Sequence, residues 1–197
     1  MPGVLIIGYG NPLRGDDGLG CQVADEIARN AGDSIKVLTT HQLTPELAES
    51  ISDADVVVFV DACHDGQPGR WRCERIRADT VIPQAFAHYL TPMSLLNYAA
   101  AIFDAKPAAL LISVAADSFA YGETLTPKVA AVVPEIVDYI CNHCEVVSET
   151  SRSADFAPPE ERKQNSPWAS ALGRLPERIA LKGRPTARRF PKENVRQ

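Results

Sequence analysis

The sequence predicts an α/β fold in which an open, mostly parallel twisted sheet carries helices on both faces. Apolar strands alternate with helical patterns along most of the chain, as they do in sheets of this kind. The run Val56–Val60 is apolar without interruption, which is typical of a parallel strand covered on both faces. Thr-Pro pairs at 44–45, 91–92 and 126–127 indicate helix starts, because Thr caps a helix and Pro fits its first position.

The elements follow in order from local patterns. The first strand is predicted at Gly3–Ile7, and a helix follows over roughly Asp17–Ala31 because apolar residues recur at helical spacing, namely Leu19, Val23, Ile27 and Ala28. Further short aliphatic runs predict strands at Ser34–Thr39, Val56–Val60 and Leu110–Val114, with an edge strand at Trp71–Ile76. The helix that begins at Pro127 carries one apolar face, formed by Val129, Val133, Ile136, Val137 and Ile140.

Composition divides the chain into one domain, residues 1–147, and a tail, residues 148–197. The chain has 197 residues, 45% of them hydrophobic, which suits one α/β core. Residues 1–147 hold 9 Lys and Arg against 19 Asp and Glu, a net charge of −10, whereas residues 148–197 hold 11 against 6, a net charge of +5. The tail is rich in Pro, Arg and Ser and poor in apolar residues, which predicts disorder. The alternative is a short helix that docks on a partner through Trp168, Leu172, Leu175 and Ile179.

Several classes of protein are not expected from this composition. The chain lacks an apolar run of 18 residues and a signal-like N-terminus, so we expect neither membrane insertion nor secretion. Five scattered cysteines do not resemble a secreted disulfide framework, and a reducing cytoplasm is the expected location. The basic residues of the tail are too sparse to indicate a nucleic-acid partner.

A glycine-rich loop at residues 8–20 follows the first strand and contains two adjacent carboxylates, Asp16 and Asp17. The glycine spacing excludes a dinucleotide fingerprint, and no Lys-Ser or Lys-Thr follows as in a phosphate-binding loop. Because an acidic pair would repel phosphate, we expect the loop to bind a cation. The structural alternative is that one or both carboxylates cap the following helix.

Other candidate groups end neighbouring strands of the predicted sheet. Asp61 ends the central apolar strand, and His41 follows the second strand. Parallel strands present their carboxyl ends at one edge, where such sheets bind ligands. His88 lies in a loop before the helix at Thr91-Pro92, and His64 is a minor candidate. Carboxylate and imidazole together suit nickel or zinc.

These residues carry a resemblance to a known family. The pattern Gly8-x-Gly10-Asn11-x-Leu13-x-x-Asp16-Asp17-Gly18-x-Gly20 is similar to the signature of the hydrogenase maturation proteases. These endopeptidases trim the C-terminal extension from the large subunit of nickel-iron hydrogenases. The similarity extends to about residue 145 and includes supporting segments at 41–47, 60–62, 91–92 and 124–127.

The resemblance implies roles for particular residues. The family's first acidic ligand falls on Asp17 and its second on Asp61, which would bind nickel and act in catalysis. The family's third ligand is a histidine, but the closest alignment places Met93 there. His88, five residues earlier, or His41 would then take the role of third metal ligand.

The resemblance also implies the reaction and its partner. The expected function is metal-assisted or aspartic-type proteolysis of a nickel-loaded large-subunit precursor, so the nickel arrives with the substrate and no tightly bound cofactor of the enzyme's own is expected. We expect a cytoplasmic monomer. Two alternatives remain at this point: a nickel- or precursor-binding maturation chaperone that does not cut, and an independent metal-dependent amidohydrolase.

Overall fold

The computed structural model describes residues 3–29, 31–32, 34–78 and 90–150. Within them a 3₁₀-helix spans Gly15–Gly18. The strands are β1 (Val4–Tyr9), β2 (Ile35–Thr40), β3 (Val56–Cys63), β4 (Trp71–Ile76) and β5 (Ala108–Ala115). The helices are α1 (Leu19–Ala28), α2 (Leu47–Ser52), α3 (Pro92–Phe103), α4 (Pro127–Ala130) and α5 (Val133–Thr150). The first three residues of the predicted tail, 148–150, belong to α5, and residues 151–197 lie outside the described residues.

The five strands form one sheet in the order β2-β1-β3-β5-β4. All neighbouring pairs are parallel except β4 with β5, which is antiparallel. The predicted α/β fold and the edge strand at Trp71–Ile76 are therefore confirmed. Strand β2 lies on one side of β1, and β3, the next strand in the chain, lies on the other side. The direction in which strands are added therefore reverses between β1 and β3. A crevice at the carboxyl ends of such strands is where open α/β sheets bind ligands.

Helices cover both faces of this sheet. On one face α2 and α3 pack on alternate residues of β1 and β3, in a cluster of fully or nearly fully buried side chains that includes Leu5, Ile7, Ala48, Ile51, Val57, Phe59, Leu95 and Leu96. Each such large apolar side chain stabilises the fold by roughly 1.5–3 kcal/mol. On the other face α1 packs against β1 and β3, and α5 packs against α1. The described residues contain no helix long and apolar enough to cross a membrane.

Helix α1 approaches the sheet closely enough that only glycine fits at two contact points. A methyl group added at Gly20 would lie 2.3 Å from the carbonyl oxygen of Val60 and 2.5 Å from that of Tyr9. A methyl group at Gly8 would lie 2.0 Å from the carbonyl oxygen of Gly20. These contacts hold the first turn of α1, and the loop before it, against the carboxyl ends of β1 and β3.

Two of the three predicted helix starts need correction. Thr91 caps α3 as predicted, accepting a hydrogen bond from the Ser94 amide at 3.1 Å. Helix α2 instead begins at Leu47, because residues 44–47 first form a turn closed by the Leu47 amide and the Thr44 carbonyl. Thr126 precedes α4 as predicted, but its side chain makes no cap. The expected single helix from Pro127 is divided into α4 and α5 by residues 131–132.

The first predicted helix is also shorter and starts later than expected. Residues 15–18 form the 3₁₀-helix, and α1 then runs only from Leu19 to Ala28. No side chain caps either helix. The capping role considered for Asp16 and Asp17 is therefore wrong, and their side chains have other partners.

Candidate active site

Asp61 lies near the end of β3 with its carboxylate in a partly buried position. The Tyr9 hydroxyl and the Ala62 amide donate hydrogen bonds to it. Burial raises the pKa of Asp61 to about 6, and the nearby charge of Asp17 contributes to the rise, while both hydrogen bonds oppose it. A carboxyl group in this state gains or loses its proton close to neutral pH, as a general acid or base must.

Asp17 is held by the glycine-rich loop that follows β1. Its Oδ2 atom accepts a hydrogen bond from the Asn11 amide at 3.0 Å, and the side chain of Asn11 in turn accepts one from the Leu13 amide at 3.0 Å. Gly10 has a φ of +130°, and a methyl group there would lie 1.9 Å from the Asp17 carbonyl oxygen. The loop therefore requires glycine at this position to place Asp17.

The structure brings Asp17 and Asp61 together at the crevice between β1 and β3. Besides burial, the charge of Asp17 raises the pKa of Asp61, and the charges of both residues raise the pKa of Cys21. The Cys21 Sγ atom lies 3.6 Å from the Gly10 carbonyl oxygen and 3.7 Å from the Thr40 carbonyl oxygen. Burial first, and then the charges of nearby carboxylates including Asp17 and Asp61, raise the pKa of the Cys21 thiol. The thiol is therefore protonated at neutral pH.

Asp16 has a different environment from its neighbour Asp17. Its side chain is fully buried and accepts hydrogen bonds from the Asp117 amide at 2.8 Å, the Ser118 amide at 3.0 Å, and the Thr126 amide and hydroxyl at 2.7 and 3.0 Å. Burial alone would raise the pKa of Asp16, but these hydrogen bonds outweigh it and lower the pKa. Asp16 thus joins the 3₁₀-helix to the segment between β5 and α4, and its acceptor capacity is used in doing so.

The histidines differ in how far the structure describes them. His41 is exposed in the loop after β2, at the same edge of the sheet as Asp17 and Asp61. His88 lies outside the described residues. Met93, in the first turn of α3, is 43% exposed. His64 is exposed, with its ring centroid 4.2 Å from that of Phe119.

The described residues contain no group of three or more His, Cys, Asp and Glu side chains placed to hold a metal ion. Asp17 and Asp61 lie close enough for the charge of one to affect the other. The described residues do not add the third ligand that the resemblance predicts. The assignment of His88 or His41 to that position stays a prediction.

Sequence reasoning missed two polar residues beside Asp61. Tyr9, which stands between the glycines of the loop signature, donates to the Asp61 carboxylate. Ser113 pairs in register with Asp61 on β5 and is 7% exposed. Once the strand register is known, both positions follow, because side chains on neighbouring strands at one level share a face of the sheet.

The fold matches solved structures of hydrogenase maturation peptidases. A hydrogenase 2 maturation peptidase from Thaumarchaeota archaeon SCGC_AB-539-E09 is 26% identical, with a TM-score of 0.58, over 73% of this chain and 98% of that chain. The structure supports membership of the hydrogenase maturation protease family. Two further neighbours share the fold at lower identity. The maturating endopeptidase HybD from E. coli is 21% identical, with a TM-score of 0.60, over 74% of this chain and 93% of its own. The [NiFe] hydrogenase maturation protease HycI from Thermococcus kodakarensis KOD1 is 22% identical, with a TM-score of 0.57, over 72% and 92%.

The resemblance of the loop signature to this family is thereby confirmed at the level of structure. No protein-family model and no curated protein matches the sequence. The solved neighbours are maturation endopeptidases by description, which supports a role of that general kind for this chain.

The first prediction concerns Asp16. We expect Asp16→Ala to lower the free energy of unfolding by at least about 1–3 kcal/mol, because it leaves three partly buried amides without their acceptor. The lowered pKa means that Asp16 stabilises the fold above its ordinary value of 3.8 and that this contribution is lost as the pH falls through the folded-state pKa. Urea denaturation at pH 7 and in acid measures both effects. Asp17→Asn is the control, with an expected change within about 1 kcal/mol, and equal stability of the two variants would contradict the assignment.

The second prediction concerns the charge on Asp61. Its pKa is raised from 3.8 to about 6, so folding favours the protonated form, and the stability this gives is lost as the pH rises from about 4 through 6. We expect Asp61→Asn to gain stability relative to wild type between pH 4.5 and 7.5, by on the order of 1–2 kcal/mol after allowance for partial exposure. Urea denaturation at both pH values tests this, with Asp53→Asn, at an exposed position, as the control. A constant difference across this range would contradict the environment described for Asp61.

Proposed function

We propose that the chain is an endopeptidase that removes the C-terminal extension from a nickel-loaded large-subunit precursor of a nickel-iron hydrogenase. The observation that carries the proposal is the meeting of Asp17 and Asp61 where β1 and β3 end. Two carboxylates at a topological switch point, in a fold shared with maturation endopeptidases, suit hydrolysis of a peptide bond in a metal-bearing substrate.

In this proposal the nickel belongs to the substrate. Asp17 and Asp61 supply oxygen ligands to it, and His88 or His41 supplies an imidazole. The nickel carried by the bound precursor would act as a Lewis acid and polarise the scissile carbonyl. Asp61 is suited to accept a proton, because its pKa of about 6 lies close to neutral pH. The enzyme therefore requires no tightly bound cofactor of its own.

The setting of the reaction follows from the same proposal. The partner is the precursor of the hydrogenase large subunit, and the enzyme acts on it as a monomer in the cytoplasm. The acidic groups of the site favour a cation over nucleic acid, which would be repelled by Asp17 and Asp61.

A second candidate function is supported by one observation. By the resemblance Met93 falls at the position of the family's histidine, and its side chain is exposed, so a chain that binds nickel or the precursor without cutting is the alternative. An independent metal-dependent amidohydrolase is a third possibility. Cleavage assays distinguish the three. The endopeptidase cleaves only nickel-loaded precursor, the non-cutting chain binds precursor without cleaving it, and the independent hydrolase cleaves unrelated amides without precursor.

The third prediction tests the two carboxylates. Asp17→Asn and Asp61→Asn are expected to slow cleavage of nickel-loaded precursor by about a hundredfold or more, because each removes a charged ligand and Asp61 is also the proton acceptor. Nickel-free precursor is expected to resist wild-type enzyme. The measurement is conversion of purified precursor to its shortened form, followed on gels and by mass spectrometry. Asp53→Asn, at the opposite edge of the sheet, is the matched control.

The result that would contradict the site assignment is normal cleavage by either site variant with intact folding. Equal cleavage of nickel-loaded and nickel-free precursor would contradict the role of the substrate's metal. Finding one tightly held zinc ion per purified chain would favour the independent hydrolase.

The fourth prediction tests the third ligand. We expect His88→Ala to abolish both cleavage and nickel-dependent precursor binding, because His88 lies five residues before Met93 in the sequence. His41→Ala is expected to have a smaller effect. His64→Ala is the control, since that ring stacks on Phe119. If only His41→Ala loses both activities, His41 is the ligand, and if both variants keep both activities, neither histidine is the third ligand.

A further inference from the structure

Tyr9 contacts Asp61. It has no role in the function proposed above. It is the last residue of β1. Its ring packs against the core cluster between the sheet and helices α2 and α3. Its hydroxyl donates a hydrogen bond to the Asp61 carboxylate.

The backbone around Tyr9 leaves the phenol ring little freedom. The Gly10 amide donates to the Thr40 carbonyl at 3.1 Å, and the preceding Gly8 lies against Gly20 of helix α1. With the backbone held on both sides and the ring packed in the core, the hydroxyl occupies one place. The Asp61 carboxylate therefore has a fixed donor rather than a mobile one.

Asp61 needs such a donor, because the last torsion of an aspartate side chain has broad, shallow preferences. A neighbouring strand brings Ser113 to the same level of the sheet, so Asp61 lies between β1 and β5. A hydrogen bond from Tyr9 to one carboxylate oxygen determines where the other oxygen points. Small errors in the placement of a reacting group reduce rates strongly, by up to about a hundredfold for 1 Å.

We propose that Tyr9 is a positioning residue that orients the Asp61 carboxylate toward Asp17 and the bound precursor. This inference rests on the function proposed above, in which Asp61 acts on the substrate. In this proposal Tyr9 contacts Asp61 rather than the substrate, so it acts through the carboxylate. The loss of its hydroxyl is expected to change the rate of cleavage more than the binding of the precursor, because the carboxylate that binds nickel is kept.

The fifth prediction tests this role with Tyr9→Phe, which removes the hydroxyl and keeps the packed ring. We expect kcat for cleavage of nickel-loaded precursor to fall about tenfold or more, while KM and precursor binding stay within about twofold. Tyr98→Phe is the control, since Tyr98 packs against the same core cluster from α3. In the double variant with Asp61→Asn, we expect no loss beyond that of Asp61→Asn alone, because both changes act through one carboxylate.

The outcomes separate this inference from the proposed function. If Asp61→Asn is inactive and Tyr9→Phe cleaves at the wild-type rate, the positioning role is wrong and the proposed function stands. If Tyr9→Phe raises KM without lowering kcat, the hydroxyl contacts the substrate and the positioning role is also wrong. If Asp61→Asn cleaves normally, the proposed function itself fails at its central residue. Thermal denaturation of Tyr9→Phe and Tyr98→Phe excludes a loss of folding as the cause of a lowered kcat.

Discussion

The close approach of helix α1 to the ends of β1 and β3 is the constraint on which the rest of the site depends. Gly20 faces the carbonyl oxygens of Val60 and Tyr9 at distances that a side chain would not allow. Asp17 lies three residues before Gly20, and Asp61 directly follows Val60. One backbone contact therefore fixes the separation of the two carboxylates, since neither helix nor strand can shift without breaking it. The remaining loop contacts, such as the Asn11 amide on Asp17, refine a position that is already determined.

The adjacent carboxylates Asp16 and Asp17 have different roles because they differ in burial and in the hydrogen bonds that they accept. Asp16 is fully buried and accepts four hydrogen bonds, which is about the full capacity of a carboxylate. It is therefore unavailable to a metal or substrate, and its contribution is to stability. Asp17 is partly exposed at the crevice and accepts a hydrogen bond from the Asn11 amide. An acidic pair in a loop signature thus combines a buried residue that holds the loop with one that is partly exposed at the crevice.

The parts of the structure that depend on local patterns could be predicted from the sequence. Apolar runs such as Val56–Val60 identify strands, and the topology then places Asp17 and Asp61 at one edge. The role of Asp16 could not be predicted, because its partners lie 101 to 110 residues away along the chain. Thr126 has a capping sequence, but the buried carboxylate of Asp16 takes its hydroxyl instead. The contact between Tyr9 and Asp61 likewise requires the order and register of the strands, which a single sequence does not specify.

Asp61 stands where the apolar core of one sheet face ends. Below it on β3, Phe59 and Val57 are fully buried in the cluster with α2 and α3, whereas at its own level the neighbours are Tyr9 and Ser113. A carboxylate at this border is charged at neutral pH against the effect of burial, so it reduces the stability of the fold. Proteins retain such residues where function requires them, because optimisation for stability alone would replace them. The unfavourable environment of Asp61 is therefore, on physical grounds, an argument for its function that is independent of any resemblance in sequence.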